Sequence, residues 1–243
     1  MDRLDALYRQ YLKFAPLVRE IADIGADHGY LSKRILESGF YGRIIVTDIA
    51  AMPLEVARKN IGNRPDVIYR QCNGLSGDFS STDLVFIAGM GGDLIANIIA
   101  EAADIKNDVI YVLQPMTNFQ KTLCRIESRY LYSYFANEKE KHYRMMIASS
   151  SPYAAVQNKE AIRIPWLFDM EEFDSEEDCR CTTRGEAVLK ENLGDAVIFF
   201  QHKLEQAEKI TKSVKQIPVL YERAKKRENL AREILVLLNA QLS

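Results

Sequence analysis

The sequence predicts an α/β fold with a parallel sheet, followed by a helical domain. Through roughly the first 150 residues, short apolar runs alternate with helical patterns, which is typical of a parallel sheet covered by helices on both faces. Turn-forming residues follow several of these runs, and two long helical patterns occupy the last part of the chain. A length of 243 residues accommodates one large domain or a medium domain plus a small one.

The first half of the predicted sheet consists of three strands separated by two helices. Short apolar runs predict the strands at residues 21–24, 43–47 and 67–70. Apolar residues at helical spacing predict the helices at residues 30–38 and 53–60. Gly39 closes the first helix and Gly62 lies just beyond the second, where glycine commonly ends a helix. The crossovers between these parallel strands should be right-handed.

Four further apolar runs complete the predicted sheet. They lie at residues 84–88, 109–114, 130–136 and 142–149. Helical patterns separate the first three of these runs, at residues 94–103 and 117–127. The last two runs follow each other without a helix between them, so we predict that they pair in antiparallel fashion.

The composition changes after residue 150. Residues 169–178 carry seven carboxylates and no basic residue, which is typical of a solvated loop or hinge. Helical patterns follow at residues 196–216 and 219–242, separated by Pro218, and each carries an apolar seam at three- and four-residue steps. The two patterns predict an antiparallel, coiled-coil-like hairpin. We therefore divide the chain into a first domain, a variable linker or insert, and a helical hairpin, at residues 1–152, 153–195 and 196–243.

The charge of the chain bears on nucleic-acid binding. The net charge is −2, so the molecule as a whole is not a polycation. Binding to a nucleic acid would therefore need a local basic face. Residues 196–243 contain nine Lys or Arg and five Asp or Glu, a balance of 9 − 5 = +4. That balance fits either an ordinary solvated helix face or a phosphate-binding surface.

Cysteine usage and hydropathy favour a cytoplasmic protein. The four cysteines form no C-x-x-C pair, so we interpret them as incidental thiols and expect no metal site. We see no signal-peptide pattern and no apolar stretch of 18 residues, so we expect no membrane span. A reducing cytoplasm fits these features. Nothing in the sequence specifies an oligomer, and a monomer is compatible with it.

Residues 21–30, "IADIGADHGY", nearly form a dinucleotide-binding glycine loop. That loop has the pattern G-x-G-x-x-G, whose glycines let backbone N–H groups approach a pyrophosphate. Here Gly25 and Gly29 flank Asp27, which stands in place of the middle glycine. A carboxylate close to a diphosphate costs Coulomb energy in a low-dielectric cleft. The loop therefore favours a ligand that is cationic where a dinucleotide is anionic.

S-adenosylmethionine is such a ligand, because it carries a sulfonium and an ammonium and no phosphate. Asp23 or Asp27 can attract its ammonium, directly or through water. Asp48 lies 23 residues after Gly25 at the end of the second strand, close to the spacing at which an acidic residue binds ribose hydroxyls. A strand-end turn residue is the alternative interpretation of Asp48. Asn73, at the end of the third strand, can contact the adenine edge.

A second glycine-rich segment, Gly89-Met90-Gly91-Gly92, follows the fourth strand. Its glycines let the backbone come close to a ligand, and a tight strand-to-helix turn is the alternative interpretation. Because the carboxyl ends of parallel strands meet at one rim, this segment should converge with the Gly25 loop and Asp48. Gln114-Pro115, at the end of the fifth strand, is expected to line the same cavity. His28 beside the loop is interpreted as positional rather than catalytic.

Several of these motifs together resemble one family. "ADIGADHGYLS", "VTDI", "CNGL", "LVFIAGMGGDLI" and "YVLQP" occur in the order and spacing of the bacterial tRNA (adenine(22)-N(1))-methyltransferase family, over roughly residues 1–149. Arg3-Leu4 also looks like the opening Arg-Leu pair of that family. The resemblance implies a class I Rossmann-like methyltransferase domain followed by a helical, coiled-coil-like domain. It implies S-adenosyl-L-methionine as donor and N1 of an adenine near the D-loop of tRNA as methyl acceptor.

The resemblance and the motifs together define the expected site residues. We expect the cofactor to be bound by Asp23, Gly25, Asp27, His28, Gly29, Asp48, Ile49, Asn73, Gly74, Ala88, Gly89 and Met90. We expect the methyl and the base to meet at Asp27, Met90 and Gly91. Asp27 would hold the cofactor or accept a hydrogen bond from the adenine amino group. We expect the tRNA backbone to be held by Lys225, Lys226 and Arg227.

Three other functions are compatible with parts of the sequence. A methyltransferase acting on another RNA, a small molecule or a protein would share the cofactor loop, although the basic hairpin argues mildly against the latter two. An NAD-dependent dehydrogenase is opposed by Asp27 and by the missing middle glycine. A catalytically silent RNA-binding relative would keep the fold and bind tRNA without transferring a methyl group.

Overall fold

The predicted α/β architecture is confirmed by a computed structural model of the chain, which describes residues 1–126, 129–151, 154, 161–167 and 185–242. Its strands form one nine-stranded sheet in the order β3-β2-β1-β4-β5-β7-β6-β9-β8. Within the described residues the strands are Glu20–Ile24 (β1), Arg43–Asp48 (β2), Val67–Gln71 (β3), Leu84–Met90 (β4), Ile110–Pro115 (β5), Tyr130–Glu138 (β6), Lys141–Ser149 (β7), Ala161–Ile164 (β8) and Glu186–Leu189 (β9). The α-helices are Arg3–Phe14 (α1), Tyr30–Glu37 (α2), Ala51–Ile61 (α3), Gly92–Glu101 (α4), Phe119–Ile126 (α5), Leu193–Ser213 (α6) and Pro218–Asn239 (α7).

The centre of the sheet is parallel and buried on both faces. β1 lies between β2 and β4, pairs with both in parallel, and is buried along its whole length. Alternate side chains point to opposite faces, so Ile21 packs in one core with α1, α2 and α3, while Ala22 packs in the other with α4 and α5. The chain crosses from one side of β1 to the other between β3 and β4, which creates a switch point at the ends of β1 and β4.

The last predicted strands form the expected antiparallel pair. β7 pairs antiparallel with both β5 and β6, so it runs opposite to both of its neighbours. β8 and β9, which the sequence did not predict, pair antiparallel with each other and extend the sheet beyond β6. They lie within residues 153–195, and the acidic segment 169–178 lies outside the described residues.

Helix α1 was also not predicted, although its sequence carries an amphipathic pattern. Its buried face consists of Ala6, Leu7, Gln10, Tyr11 and Phe14, which recur at three- and four-residue steps. The hydroxyl of Tyr132 on β6 donates to Gln10 Oε1 at 2.9 Å, which fixes the helix against the far part of the sheet. The helix thereby closes one face of the sheet next to its carboxyl edge.

The C-terminal helices form the expected hairpin. α6 and α7 run antiparallel, since Glu208 pairs with Arg232 while Phe200 packs in one core with Ile234 and Leu238. The hairpin is attached to the sheet by Asn192, whose Oδ1 accepts from the backbone N–H of Phe135 at 2.5 Å and whose Nδ2 donates to the Phe135 carbonyl at 3.0 Å.

Three further properties concern the described part of the chain. No described helix is both long enough and apolar enough to cross a membrane. No group of three or more His, Cys, Asp or Glu side chains in this part is placed to hold a metal ion. Cys72 is a free thiol, whereas Cys124 is disulfide-bonded. The interpretation as an incidental thiol is therefore wrong for Cys124, because spacing along the chain does not reveal disulfide pairing.

Candidate active site

A large cavity opens at the carboxyl ends of β1, β2 and β4, at the switch point of the sheet. Its volume is about 570 Å³, within the usual range for cofactor sites. The residues expected at the site that line this cavity are Asp23, Gly25, Asp27, His28, Asp48, Ile49, Asn73, Gly74, Ala88, Gly89 and Met90. The structure thus brings together residues from the carboxyl ends of four strands, β1, β2, β3 and β4.

The loop after β1 is held by its own backbone hydrogen bonds. The N–H of Ala26 donates to the Thr47 carbonyl at 2.9 Å, and the N–H of Gly29 donates to the Ala26 carbonyl at 2.8 Å. Gly25 has a φ of +65°, and a Cβ at this position would overlap the methyl group of Met90. Asp27 adopts a left-handed φ of +51°, uncommon outside glycine, and its side chain is 69 % exposed. The loop amides of Ala26 and Gly29 are therefore not available for a pyrophosphate.

Asp23 is the buried acid of the cavity. It lies near the end of β1, and its Oδ2 accepts a hydrogen bond from the Ser32 hydroxyl on α2 at 2.6 Å. Burial raises the pKa of Asp23 to about 6, and the Ser32 hydrogen bonds oppose that rise. Among the described residues, no Lys, Arg or His forms an ion pair with this carboxylate. A cationic ligand group would relieve the cost of burying its charge.

Asp48 and Asn73 occupy the neighbouring strand ends. Asp48 ends β2, and its Oδ1 accepts from the N–H of Ala50 at 2.9 Å. Asn73 and Gly74 follow β3, and a Cβ at Gly74 would lie 2.8 Å from Ile98 on α4. Gly74 therefore allows α4 to approach this end of the cavity closely.

The end of β4 differs from the predicted turn. The strand extends through Met90 rather than ending at Ala88, and α4 begins at Gly92 instead of residue 94. The N–H of Gly89 donates to Oε1 of Gln114 at 3.0 Å. Pairing with β5 continues to Met90, with an irregularity in register between Ala88 and Met90. Gly89 and Met90 therefore reach the cavity as the distorted end of a strand.

Two expected residues do not line this cavity. Gly29 begins α2 with a φ of +68°, and a Cβ there would lie 2.8 Å from Ile61 on α3, so its absence of a side chain serves helix packing. Gly91 is the N-cap of α4, and a Cβ there would lie 3.2 Å from Thr117 Oγ1. These glycines are placed beside the cavity and not at its surface.

Gln114 and Pro115 line a separate small cleft, contrary to expectation. Its volume is about 80 Å³, and it lies where the first domain meets α6. Tyr143 of β7 and Lys203 of α6 also line it. Gln114 connects the two spaces, since it lines the cleft and binds the backbone of Gly89 in the larger cavity.

Sequence reasoning missed one wall of the larger cavity, which α1 supplies. Arg3, Leu4 and Leu7 line the cavity from this helix. Leu4 and Leu7 are three residues apart, as expected for one face of a helix, and this spacing was a usable signal. The remaining lining residues that were not expected are Ile24, Ala26, Tyr30, Leu31, Thr47, Cys72, Leu94 and Ile98.

The three residues expected to hold tRNA do not share a surface. Arg227 is 6 % exposed, so its side chain offers little surface to a phosphate backbone. Lys225 is half-buried, and its Nζ lies 2.7 Å from Oε1 of Glu228. Lys226 is exposed. Exposed lysines instead recur at three-residue steps at the end of α6 and in the turn after it: Lys209 and Lys212 lie on the helix, and Lys215 lies in the turn.

The fold and the cavity define a class of protein. A parallel sheet with helices on both faces, an antiparallel β7 and a cofactor-sized cavity at the switch point are the features of a Rossmann-like, nucleoside-binding enzyme domain. The methyltransferase domain family matches residues 3–146, more than half of the chain. The chain therefore belongs to the methyltransferase domain family. No curated protein sequence matches the chain.

Several solved structures share the fold of this chain. TrmK of M. capricolum, in complex with S-adenosyl-homocysteine, is 20 % identical with a TM-score of 0.65, over 94 % of this chain and 97 % of that one. The m1A22 tRNA methyltransferase TrmK of B. subtilis is 19 % identical with a TM-score of 0.66, over 94 % and 97 % of the two chains. A Streptococcus pneumoniae structure with S-adenosyl-L-methionine has a TM-score of 0.64 at 20 % identity, over 93 % and 98 %. These likenesses cover more of the chain than residues 3–146, which the family model matches.

Proposed function

We propose that this protein is an S-adenosyl-L-methionine-dependent methyltransferase that methylates N1 of adenine 22 in tRNA. The observation that carries the proposal is the buried carboxylate of Asp23, which lines a nucleoside-sized cavity without an ion-pair partner among the described residues. An amino-acid ammonium would supply that partner. The choice of acceptor is supported by the likeness to two tRNA (m1A22) methyltransferases over nearly the whole chain.

The cavity fits this donor better than it fits a dinucleotide. Asp23, Asp27 and Asp48 place three carboxylates around it, which suits a ligand with a sulfonium and an ammonium. A dinucleotide would bring two phosphates to a loop whose amides at Ala26 and Gly29 already have backbone partners. Asp48 at the end of β2 would bind the ribose hydroxyls, and Asn73 the adenine edge.

The donor, when bound, supplies an electrophilic methyl group on a sulfonium. The in-plane lone pair of adenine N1 is already a nucleophile, so the N1–CH₃ bond can form as the S–CH₃ bond breaks, without prior removal of a proton. The cation formed on the purine can later lose a proton from its amino group to solvent. The contribution of the protein is therefore mainly to hold donor and acceptor in line.

Gly89 and Met90 would shape the place where the two reactants meet. Met90 stands against Gly25, so its thioether separates the β1 loop from the end of β4. Gln114 fixes the N–H of Gly89 from the side of the smaller cleft. Asp27, exposed at the mouth of the cavity, is available to accept a hydrogen bond from the adenine amino group. The target base must leave its stack to reach this position.

The hairpin would bind the tRNA backbone through a different set of cations from those expected. Lys209, Lys212, Lys215 and Lys226 are exposed. Lys209 and Lys212 lie on neighbouring turns of one side of α6, Lys215 follows in the turn after the helix, and together they can follow successive phosphates. This arrangement replaces the cluster that included Arg227.

The proposal is tested by incubating the protein with an unmodified tRNA transcript and labelled S-adenosylmethionine, and mapping the methylated nucleoside. We expect N1-methyladenosine at position 22, and no label in a matched transcript with guanine at that position. Binding of tRNA without transfer of label would favour a catalytically silent relative. Label on another nucleotide, or only on protein or small molecules, would contradict the proposed acceptor.

A further inference from the structure

Arg3 on α1 places a guanidinium in a cavity whose other charged groups are mainly carboxylates. It lines the cavity together with Asp23, Asp27 and Asp48. Within the described residues, Arg3 forms no ion pair with any of them, and its recorded contact is with the ring of Tyr143, whose centroid lies 5.8 Å from the guanidinium carbon. A cation held in a cofactor cavity without an anionic partner points to an anion on the ligand.

The first turn of α1, which carries Arg3, is anchored by contacts of its neighbours. Asp2 caps the helix, since its Oδ1 accepts from the N–H of Asp5 at 2.6 Å. Asp5 forms an ion pair with Arg34 of α2, and the Arg34 guanidinium lies 4.6 Å from the ring centroid of Tyr8. These contacts, together with the buried face of α1, anchor the first turn on both sides of Arg3.

The position of Arg3 relates to one end of the cavity. A Cβ added at Gly89 would lie 3.0 Å from Nη1 of Arg3, so the guanidinium covers the backbone at the end of β4. Asp48 and Asn73, the residues proposed to bind the ribose and the adenine, lie at the ends of β2 and β3. In the sheet, β1 separates β4 from β2, so Arg3 lies at the side away from the nucleoside. That side is where the amino-acid part of the donor would be placed.

We propose that Arg3 binds the carboxylate of the amino-acid end of the methyl donor, while Asp23 binds its ammonium. This inference rests on the proposed function and extends it to a residue that the sequence motifs did not assign. The planar guanidinium can donate two parallel N–H bonds to a carboxylate, which an ammonium cannot do. Each charge of the amino-acid end would thus pair with an opposite charge of the protein, one on α1 and the other on β1.

The test compares two ligands that differ at the amino-acid end. S-adenosylhomocysteine carries the carboxylate and the ammonium, whereas 5′-methylthioadenosine keeps only the nucleoside and the thioether. In calorimetry we expect Arg3→Met to lower the affinity for S-adenosylhomocysteine about 10- to 100-fold, which is the range for lost hydrogen bonds to a charged group. The affinity for methylthioadenosine should change by less than about twofold. Arg3→Lys should recover part of the loss, since the charge remains and the fork does not.

Asp48→Ala is the matched control for the nucleoside. It should weaken both ligands to a similar degree, because both contain the ribose. An equal loss of affinity for both ligands in Arg3→Met would mean that α1 acts only as a wall of the cavity, and would overturn the proposal. Unchanged S-adenosylhomocysteine affinity with weaker tRNA binding would assign Arg3 to a phosphate and overturn it too. Failure of the wild-type protein to bind either ligand would overturn the proposed function along with this inference.

Discussion

At the scale of single residues, the buried carboxylate of Asp23 lowers the stability of the fold and has a proposed role in binding the cofactor. Its pKa is raised from 3.8 to about 6 by burial, so the folded state favours the protonated form more than the unfolded state does. The stability linked to this group is therefore fully present below its unfolded pKa of 3.8 and is lost as the pH rises through about 6. At neutral pH the charged side chain destabilises the protein without its ligand.

We expect Asp23→Asn to raise thermal stability and to weaken cofactor binding. A shift of this size corresponds to at most about 3 kcal/mol, or a rise in Tm of at most about 6 to 12 °C for a chain of this length. The gain should be larger at pH 8 than at pH 5, where wild-type Asp23 is mostly protonated. Differential scanning fluorimetry at both pH values measures the gain, and calorimetry should show weaker S-adenosylhomocysteine binding.

Asp27→Asn serves as the control for this prediction. Asp27 is exposed, and asparagine tolerates its left-handed backbone, so this variant should lack the stability gain. An Asp23→Asn protein that is no more stable than wild type at pH 8 would contradict the buried, unpaired state of the carboxylate.

The sequence was informative about residues at strand ends and less so about residues brought in from elsewhere. Asp48 and Asn73 could be placed because the carboxyl ends of parallel strands always meet at one edge. Arg3 could not, because its position depends on contacts between α1 and elements far along the chain. Gly29 shows a different difficulty, since a glycine in a binding loop can serve helix packing as well as a ligand.

At the scale of elements, helix periodicity explains why the three residues expected to hold tRNA differ in exposure. Lys225, Lys226 and Arg227 are consecutive, and successive residues of an α-helix turn by about 100° around its axis. Three neighbours therefore cannot share a face, and Arg227 is buried while Lys226 is exposed. Lys209 and Lys212, three residues apart near the end of α6, remain on one side of the helix, and Lys215 follows in the adjoining turn.

We expect replacement of Lys209, Lys212 and Lys215 by Gln to weaken tRNA binding. The loss should be at least about tenfold at low salt, and the dependence of log affinity on log salt should become shallower by about two to three. Filter binding over a salt series measures both quantities. The control is the double change Lys33→Gln and Lys59→Gln, which removes a half-exposed charge from α2 and an exposed charge from α3. Equal effects in both proteins would mean that binding follows total charge and not the hairpin.

The strands β8 and β9 show the limit of element prediction. Each is only four residues long, and β9 joins the sheet through a single parallel pairing of Val188 with Ser133. The buried pair of Arg144 with Glu186 helps to fix β9 against β7. Neither the short length nor these partners can be recognised from local periodicity.

At the scale of the whole molecule, two histidines join the first domain to the hairpin. His142 of β7 stacks on His202 of α6, with ring centroids 4.1 Å apart. Burial lowers the pKa of both rings. The positive charge of Lys203 lowers both values further, that of Lys209 lowers the pKa of His202, and the charge of Glu205 opposes these shifts. Asn137 and Gln206 form hydrogen bonds with the outer ring nitrogens. The stack is therefore favourable when both rings are neutral.

We expect the contact to weaken on acidification. Since the folded-state pKa values are depressed, the stability due to the pair is present above the ordinary value of 6.5 and is lost as the pH falls below it. Wild type should therefore lose more Tm between pH 7.5 and about 5.5 than the variant His202→Gln, which cannot gain the second charge. Identical pH profiles for the two proteins would show that the stack does not link the units.

The hydrogen bond between Tyr132 and Gln10 joins residues 122 positions apart. During synthesis at about 5 to 20 residues per second, the partner strand leaves the ribosome roughly 6 to 24 s after the first helix. During that interval α1 can already pack against β1 and α2, which are made earlier, but Gln10 lacks the partner that fixes it to the far part of the sheet. The wall that α1 adds to the compartment for the methyl donor is therefore secured only once more than half of the polypeptide has been made.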